Sequence, residues 1–449
     1  MSKYVYVCVL LATLGARVSA AQSAQAPPPA EHLQHEAEAP APPGNSMTRE
    51  GSGTSWLPDA SPMYAIHWRK GAWQLMAHEN LFVQFLHESG SRGVDQFGSI
   101  NWFMGMAERS AGRGRLQLRG MFSAEPWTIR GCGYPDLLAT GEQCNGEKIH
   151  DRQHPHDLAM EMAAAYDAPL KGPVRWQVYG GPAAEPALGP VAFPHRVSAM
   201  LNPVAPMTHH WLDATHITFG VVTGAVYGNR WKAEASAFNG REPDERRTDL
   251  DFGALDSVSG RVSFLPMPNL AVQVSTGRLT EAEPSESGGP GMDVTRVTSS
   301  ATYHRLFGNA GIWASTVAWG RNTELGHSSH ALLLESSLTL RDRDTWFGRF
   351  EVVGKSAHDL DVPGDDQFTV SKAQGGYTRY FATRNGVKPG FGLSVSSGFV
   401  PASLKPVYGS RANLGAGVFL TVRPAAMVHT APAAGAVDPH AGHVMPPTP

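Results

Sequence analysis

Hydrophobic and polar residues alternate along most of the chain with a period of two. Residues 345–355 show it most plainly: Trp346, Phe350 and Val352 fall on one face, and Arg349, Glu351 and Lys355 on the other. Over 230–238, Trp231, Ala233, Ala235 and Ala237 oppose Arg230, Lys232, Glu234 and Ser236. Over 115–122, Leu116, Leu118 and Phe122 oppose Arg115, Gln117 and Arg119. Successive side chains of a strand point to opposite faces, so each segment predicts a strand with one apolar and one polar face. The pattern predicts about sixteen strands, an even number in the range of bacterial barrels. They fall at 73–89, 97–109, 113–124, 156–167, 173–183, 213–226, 229–239, 254–266, 269–279, 292–306, 309–321, 330–341, 345–355, 367–382, 388–398 and 411–423. Such a run, unbroken by helical segments, predicts an all-β fold: an antiparallel up-and-down transmembrane barrel, polar faces inward and apolar faces on lipid.

The connections point the same way. Short turns at 110–112, 168–172, 228, 266–268, 307–308, 342–344 and 383–387 alternate with longer loops at 90–96, 125–155, 184–212, 240–253, 280–291, 322–329, 356–366 and 399–410. Short turns at one end and long loops at the other are the habit of outer-membrane barrels. Many segments reach the ~9–11 residues that a tilted strand needs to cross a bilayer. Trp73, Trp102, Trp127, Trp211, Trp231, Trp313, Trp346 and Tyr380 lie near predicted strand ends, as interface girdles require.

Composition narrows the class. The 449 residues include 48 Gly and 34 Pro, which suits a chain with many turns. Only 17% are charged and the net charge is −3, which excludes nucleic acid as a partner on electrostatic grounds. A mean hydropathy of −0.24 fits a barrel with a polar interior. The first 21 residues read as a secretory signal: Lys3, an apolar run from Tyr4 to Leu14, and the small residues Val18-Ser19-Ala20 before the cleavage point. Residues 22–62 and 424–449, rich in Pro and Ala and without apolar period, are expected to be disordered tails around a barrel domain at 63–423. After export, Cys132 and Cys144 remain, and an oxidising compartment favours a disulfide between them.

The densest chemistry is histidine. Residues 150–157 read His-Asp-Arg-Gln-His-Pro-His-Asp, and His195, His209, His210, Asp213 and His216 follow within one long loop and the strand expected after it. His154, His156, Asp157, His195, His209, His210, Asp213 and His216 form a candidate metal site, and imidazole suits copper or zinc. The competing reading is a hydrogen-bonded cluster folding loop 184–212 into the lumen. His32, His35, Met427, His429, His440, His443 and Met445 in the tails offer further metal-binding groups. Arg246 and Arg247, in the fourth long loop, offer a lipopolysaccharide contact. No nucleophile elbow marks a Ser-His-Asp site, and the chain is read as not an enzyme.

Three segments also carry a resemblance: Asp151-Arg152-Gln153-His154-Pro155-His156-Asp157-Leu158, then His209-His210-Trp211-Leu212-Asp213-Ala214-Thr215-His216-Ile217-Thr218-Phe219-Gly220, then Ala237-Phe238-Asn239-Gly240-Arg241-Glu242-Pro243-Asp244-Glu245. They resemble motifs of an uncharacterised family of exported Gram-negative proteins regarded as outer-membrane, porin-like barrels. The resemblance spans roughly 60–423 and implies the fold and the export, with no mechanism attached. The resulting expectation is a porin-like outer-membrane channel for small polar solutes or ions. Inward Arg119, Arg175, Lys232, Glu234, Arg261, Glu335, Arg349 and Glu351 would line a wet lumen and tune its selectivity. The alternatives are a copper- or zinc-binding accessory barrel and a barrel-embedded hydrolase. The partners called for are outer-membrane lipids, lipopolysaccharide and the barrel-insertion machinery, with further copies of the chain allowed.

Overall fold

A computed structural model describes residues 47–283, 291–308 and 310–427. The signal segment, the first part of the expected N-terminal arm, and the tail beyond residue 427 lie outside the described residues. So do all the tail histidines named above.

Sixteen strands close into a barrel: β1 Trp73–Glu88, β2 Asp95–Ala111, β3 Gly114–Phe122, β4 Ala159–Lys171, β5 Val174–Ala183, β6 Val221–Tyr227, β7 Trp231–Phe238, β8 Ser257–Met267, β9 Leu270–Glu283, β10 Met292–Phe307, β11 Gly311–Glu324, β12 His327–Leu340, β13 Asp344–Ser356, β14 Gln367–Tyr380, β15 Val387–Phe399 and β16 Ala412–Pro424. Each pairs antiparallel with the next, and β16 closes on β1 with Gly415–Val422 against Leu81–Glu88. Closure leaves no unpaired sheet edge, which a strand in lipid could not tolerate.

The alternation sorts the faces as expected, with the burial of a membrane barrel. On β13 the outward Trp346 and Phe350 are 45% and 41% exposed, whereas inward Arg349, Glu351 and Lys355 are buried. Val262, Val274, Leu334, Leu393 and Leu420 extend the outward apolar surface around the barrel. An apolar exterior with a charged interior is the inverse of a soluble protein and places this barrel in the outer membrane. Trp231, Trp313 and Trp346 face outward, as girdle residues do. Trp102 and Trp211 do not: both are buried inside.

Five expectations are corrected. The stretch 47–62 is not a disordered arm. Its residues are mostly buried and it runs through the barrel interior, bonded to inward side chains of β3, β7, β8 and β10. The loop 125–155 contains a hairpin, Tyr134–Cys144 with Glu147–Gln153, clasped by the Cys132–Cys144 disulfide. The strand expected to start at 213 starts at Val221, and residues 184–220 fold as irregular chain and short helical turns into the lumen. The loop expected at 322–329 is a two-residue turn, Leu325-Gly326, with both φ angles positive. That geometry matches strand twist and lets β11 and β12 continue into polar residues. The tail expected from 424 keeps Ala426-Met427 paired with Tyr64-Met63.

The lumen is thus filled by the chain itself. Arg196, on the 184–220 segment and fully buried, bonds Glu335 of β12 at 2.5 Å and Asp213 of its own segment at 2.9 Å. Arg196→Ala would leave both carboxylates without this partner in the interior, a loss of about 3–5 kcal/mol. It should appear as a lowered urea midpoint of the detergent-folded barrel. Arg246→Ala, on an exposed pair, should leave the midpoint where it is.

Candidate functional site

All eight residues expected to line a wet lumen do point inward, and each is buried against protein. Arg119 donates to the Gly53 carbonyl at 2.7 Å and pairs with Glu161. Lys232 donates to the Thr54 carbonyl at 2.7 Å and pairs with Glu234, which also pairs with Arg261. Arg261 reaches the Thr54 hydroxyl and the Gly189 carbonyl. Arg175 pairs with Asp167 at 2.6 Å. Arg349 donates to the Val204 carbonyl, while Glu351 accepts from the backbone and hydroxyl of Thr208. Arg175 stays within the wall; the others hold the inserted segments in place.

At the long-loop end those segments bring histidines together. His209 and His210 sit on a single helical turn, His209–Leu212, and His154 follows the end of the hairpin. One ring nitrogen of each of His154, His209 and His210 lies within 4.8 Å of the others, and all three residues are buried. A carboxylate backs every ring. Asp213 accepts from His209 Nδ1 at 2.9 Å, and Glu242 from His210 Nδ1 at 3.1 Å. Glu142 faces His154 Nε2 at 3.0 Å. His210 Nε2 is left buried with no hydrogen-bond partner among the described residues. The His210 ring lies over Gly141, whose φ is +134°; a Cβ there would come within 2.1 Å of the ring. Glycine is therefore required by both backbone and space.

The other expected residues lie around this group. His216 stacks edge-on against His209 at 5.1 Å and against His156 at 5.5 Å, and its Nδ1 faces the Asp213 carbonyl. His156 is held by Glu125 and lies on Phe193. Asp157 does not join the imidazoles; it pairs with Arg247, which sits on Glu142 and is buried, away from the lipopolysaccharide contact expected of it. His195 is displaced toward the short-turn end, against His78 and Trp102. Glu142, Glu242, Glu125 and Gly141 complete the site without having been expected there. Only Glu242 carried a signal, within the Asn239-Gly240-Arg241-Glu242-Pro243 motif.

Burial sets the protonation. It pushes His209 down to about 4, against the opposing pull of Asp213. It also holds His154 well below the ordinary histidine range, helped by the Arg247 charge and the neighbouring rings, and His216 likewise beside His209. Burial alone would raise Asp213, but the Arg196 guanidinium and the His209 hydrogen bond outweigh it and keep the carboxylate ionised. These three rings are neutral at pH 7, with lone pairs available to a metal.

No family model and no curated protein matches the chain. Among solved structures, it is similar to Salmonella typhi OmpF in complex with daunomycin, at 9% identity and TM-score 0.48 over 79% of this chain and 100% of that one. It is similar to an anion-selective porin from Comamonas acidovorans, at 10% identity and TM-score 0.45 over 79% and 100%. It is also similar to the outer-membrane channel DcaP of Acinetobacter baumannii, at 7% identity and TM-score 0.43 over 79% and 98%. The fold assignment rests on the strand register, which closes the sixteen-stranded barrel by itself.

The buried neutral rings make stability pH-dependent in a defined direction. The unfolded chain takes up a proton per histidine near the ordinary value of 6.5, whereas folded His209 does so only near 4. Between these values the unfolded state binds more protons at this residue, so the His209 contribution to stability is lost as pH falls through that window and is constant above it. Between pH 6.5 and 4 the urea midpoint of the unmodified protein should therefore fall relative to that of His209→Gln, and the two should run parallel from pH 7 to pH 8. His209→Gln should reduce the slope in that window by about 1.4 kcal/mol per pH unit.

Proposed function

We propose that this porin-like outer-membrane barrel captures a divalent transition-metal ion, zinc or copper, at a centre formed by His154, His209 and His210. One observation carries the reading: three buried imidazoles converge, and each is oriented by its own carboxylate. A metal-bound histidine almost always gives its second nitrogen to such a partner, which fixes the ring and raises its basicity. Bonds of 2.0–2.1 Å to a tetrahedral zinc set ligand nitrogens about 3.4 Å apart, so the rings would close in by about an ångström. Three protein ligands leave a fourth position open, which suits an exchangeable ion better than a permanent structural one. His156 and His216 stand beside the centre as further imidazoles along the lumen.

Passive passage of small polar solutes or ions needs a lumen clear of the chain. The residues that would set its selectivity, apart from Arg175, are engaged with residues 47–62 and 184–220. That reading therefore requires displacement of these segments.

Zinc titration of the detergent-folded protein should reveal one tight site. His154→Ala and His209→Ala should each weaken it by about 100-fold or more, and Glu242→Gln by about 10–100-fold. Gly141→Ala should also weaken it by displacing His210. Unchanged binding in the double histidine variant would overturn the proposal. A steady porin-sized conductance of the unmodified protein in planar bilayers would favour passage instead.

A further inference from the structure

The inner face of the barrel is largely charged or hydroxylic, but near the short turns of β1, β2 and β3 it changes character. The register sets Met76 opposite Met106, His78 opposite Met104, and Met104 opposite Met121. Met63, from the segment leading into β1, and Met200, from the 184–220 segment, face the same place. Six of the chain's 15 methionines therefore gather here. Most of them surround a cavity of about 80 Å³ that His78 and His195 also line. His195 Nε2 lies 3.3 Å from Met121 Sδ, and the two imidazole rings are 5.8 Å apart, both packed on Trp102. His78 Nε2 is shut off from solvent and has no hydrogen-bond partner among the described residues.

The charged groups at the cavity are committed elsewhere. Glu50 and Glu108 both bond Arg115, and Arg119 bonds Glu161 and the Gly53 carbonyl. Thioether sulfurs and imidazoles are the soft and nitrogen donors that line the space, beside the side chains of Thr48, Tyr64 and Gln74. Methionine is a flexible filler of irregular cores. Filling alone, however, explains neither the residual cavity nor a buried ring nitrogen without a partner, which is costly unless something meets it.

We propose that this cavity is a second metal site, built for one soft monovalent ion, Cu(I), held by thioethers together with His78 and His195. Thioether ligands select Cu(I), and imidazole accepts it as well. The site supplies no reductant, so the ion enters already as Cu(I) and binding, through sulfur and nitrogen lone pairs, involves no electron transfer. The site shares no residue with the His154–His209–His210 centre and does not depend on it.

The full-length barrel, folded in detergent under anaerobic conditions, is titrated with Ag(I), a redox-inert equivalent of Cu(I), and separately with Zn(II). Met76→Leu/Met104→Leu/Met106→Leu keeps volume and apolarity. It should weaken Ag(I) binding at least about tenfold while leaving Zn(II) binding intact. His154→Ala/His209→Ala should do the reverse. Copper-edge X-ray absorption of the unmodified protein loaded with one equivalent of Cu(I) should show sulfur in the first coordination shell, a readout that needs no variant to fold. Ag(I) binding unchanged in the triple variant, or a shell of nitrogen and oxygen alone, would overturn the site. Loss of Zn(II) binding at the histidine centre, with Ag(I) retained here, would bear only on the histidine centre.

Discussion

A charge inside a membrane barrel must find a partner, and this barrel finds its partners in its own chain. Arg196 shows the constraint in one residue: fully buried, it bridges Glu335 on the wall and Asp213 on the inserted segment. Arg119, Lys232, Arg261, Arg349 and Glu351 repeat the arrangement around the wall, taking backbone carbonyls or amides of residues 47–62 and 184–220. Removing one member of such a set leaves an uncompensated buried charge, whereas the whole set is close to neutral. Specific placement of the inserted chain is the consequence, and the histidine geometry follows from that placement.

The same pairing sets the chemistry. Asp213 is held ionised by Arg196 and in turn orients His209, so the wall residue Glu335 is linked through two side chains to a candidate ligand. On the opposite side the disulfide clasps the hairpin that carries Gly141 and Glu142 against His210 and His154. Desolvation, which penalises charged imidazole, keeps His154 and His209 in the form that binds metal. The rings then run inward, from His209 to His216 to His156 and Phe193, with His195 two residues further along the chain. The interior that excludes water from the lumen is thus lined with groups suited to metals.

The barrel was legible in the sequence because alternation is a local signal: all sixteen strands fall within a few residues of their expected places, apart from the start of β6. The grouping of His154 with His209 and His210 was legible as composition, but the expected geometry was not. His154 sits on coil after the hairpin and His209 and His210 on a helical turn, where no strand alternation reports which residues meet. The inserted segment 47–62 was missed for a physical reason. Its contacts to the wall are scattered single bonds, from the backbone carbonyls of Gly53 and Thr54 and from the side chains of Glu50, Thr54 and Ser61, and they follow no periodic pattern. Glu142 was missed because nothing local separates a buried partner of histidine from a solvated loop acid; Glu242 lay within the Asn239-Gly240-Arg241-Glu242-Pro243 motif, which does not say what it pairs with. The short turn Leu325-Gly326 was hidden by polar flanks that read as loop.

The central claim is that a barrel closed around its own chain holds three imidazoles poised for one ion. Anomalous diffraction at the zinc edge, from crystals of the full-length protein grown with one equivalent of zinc, tests it most directly. The account predicts a single strong peak bounded by the ring nitrogens of His154, His209 and His210. No peak there, or one confined to the partly exposed acidic group Asp244, Asp249 and Asp251, would contradict it.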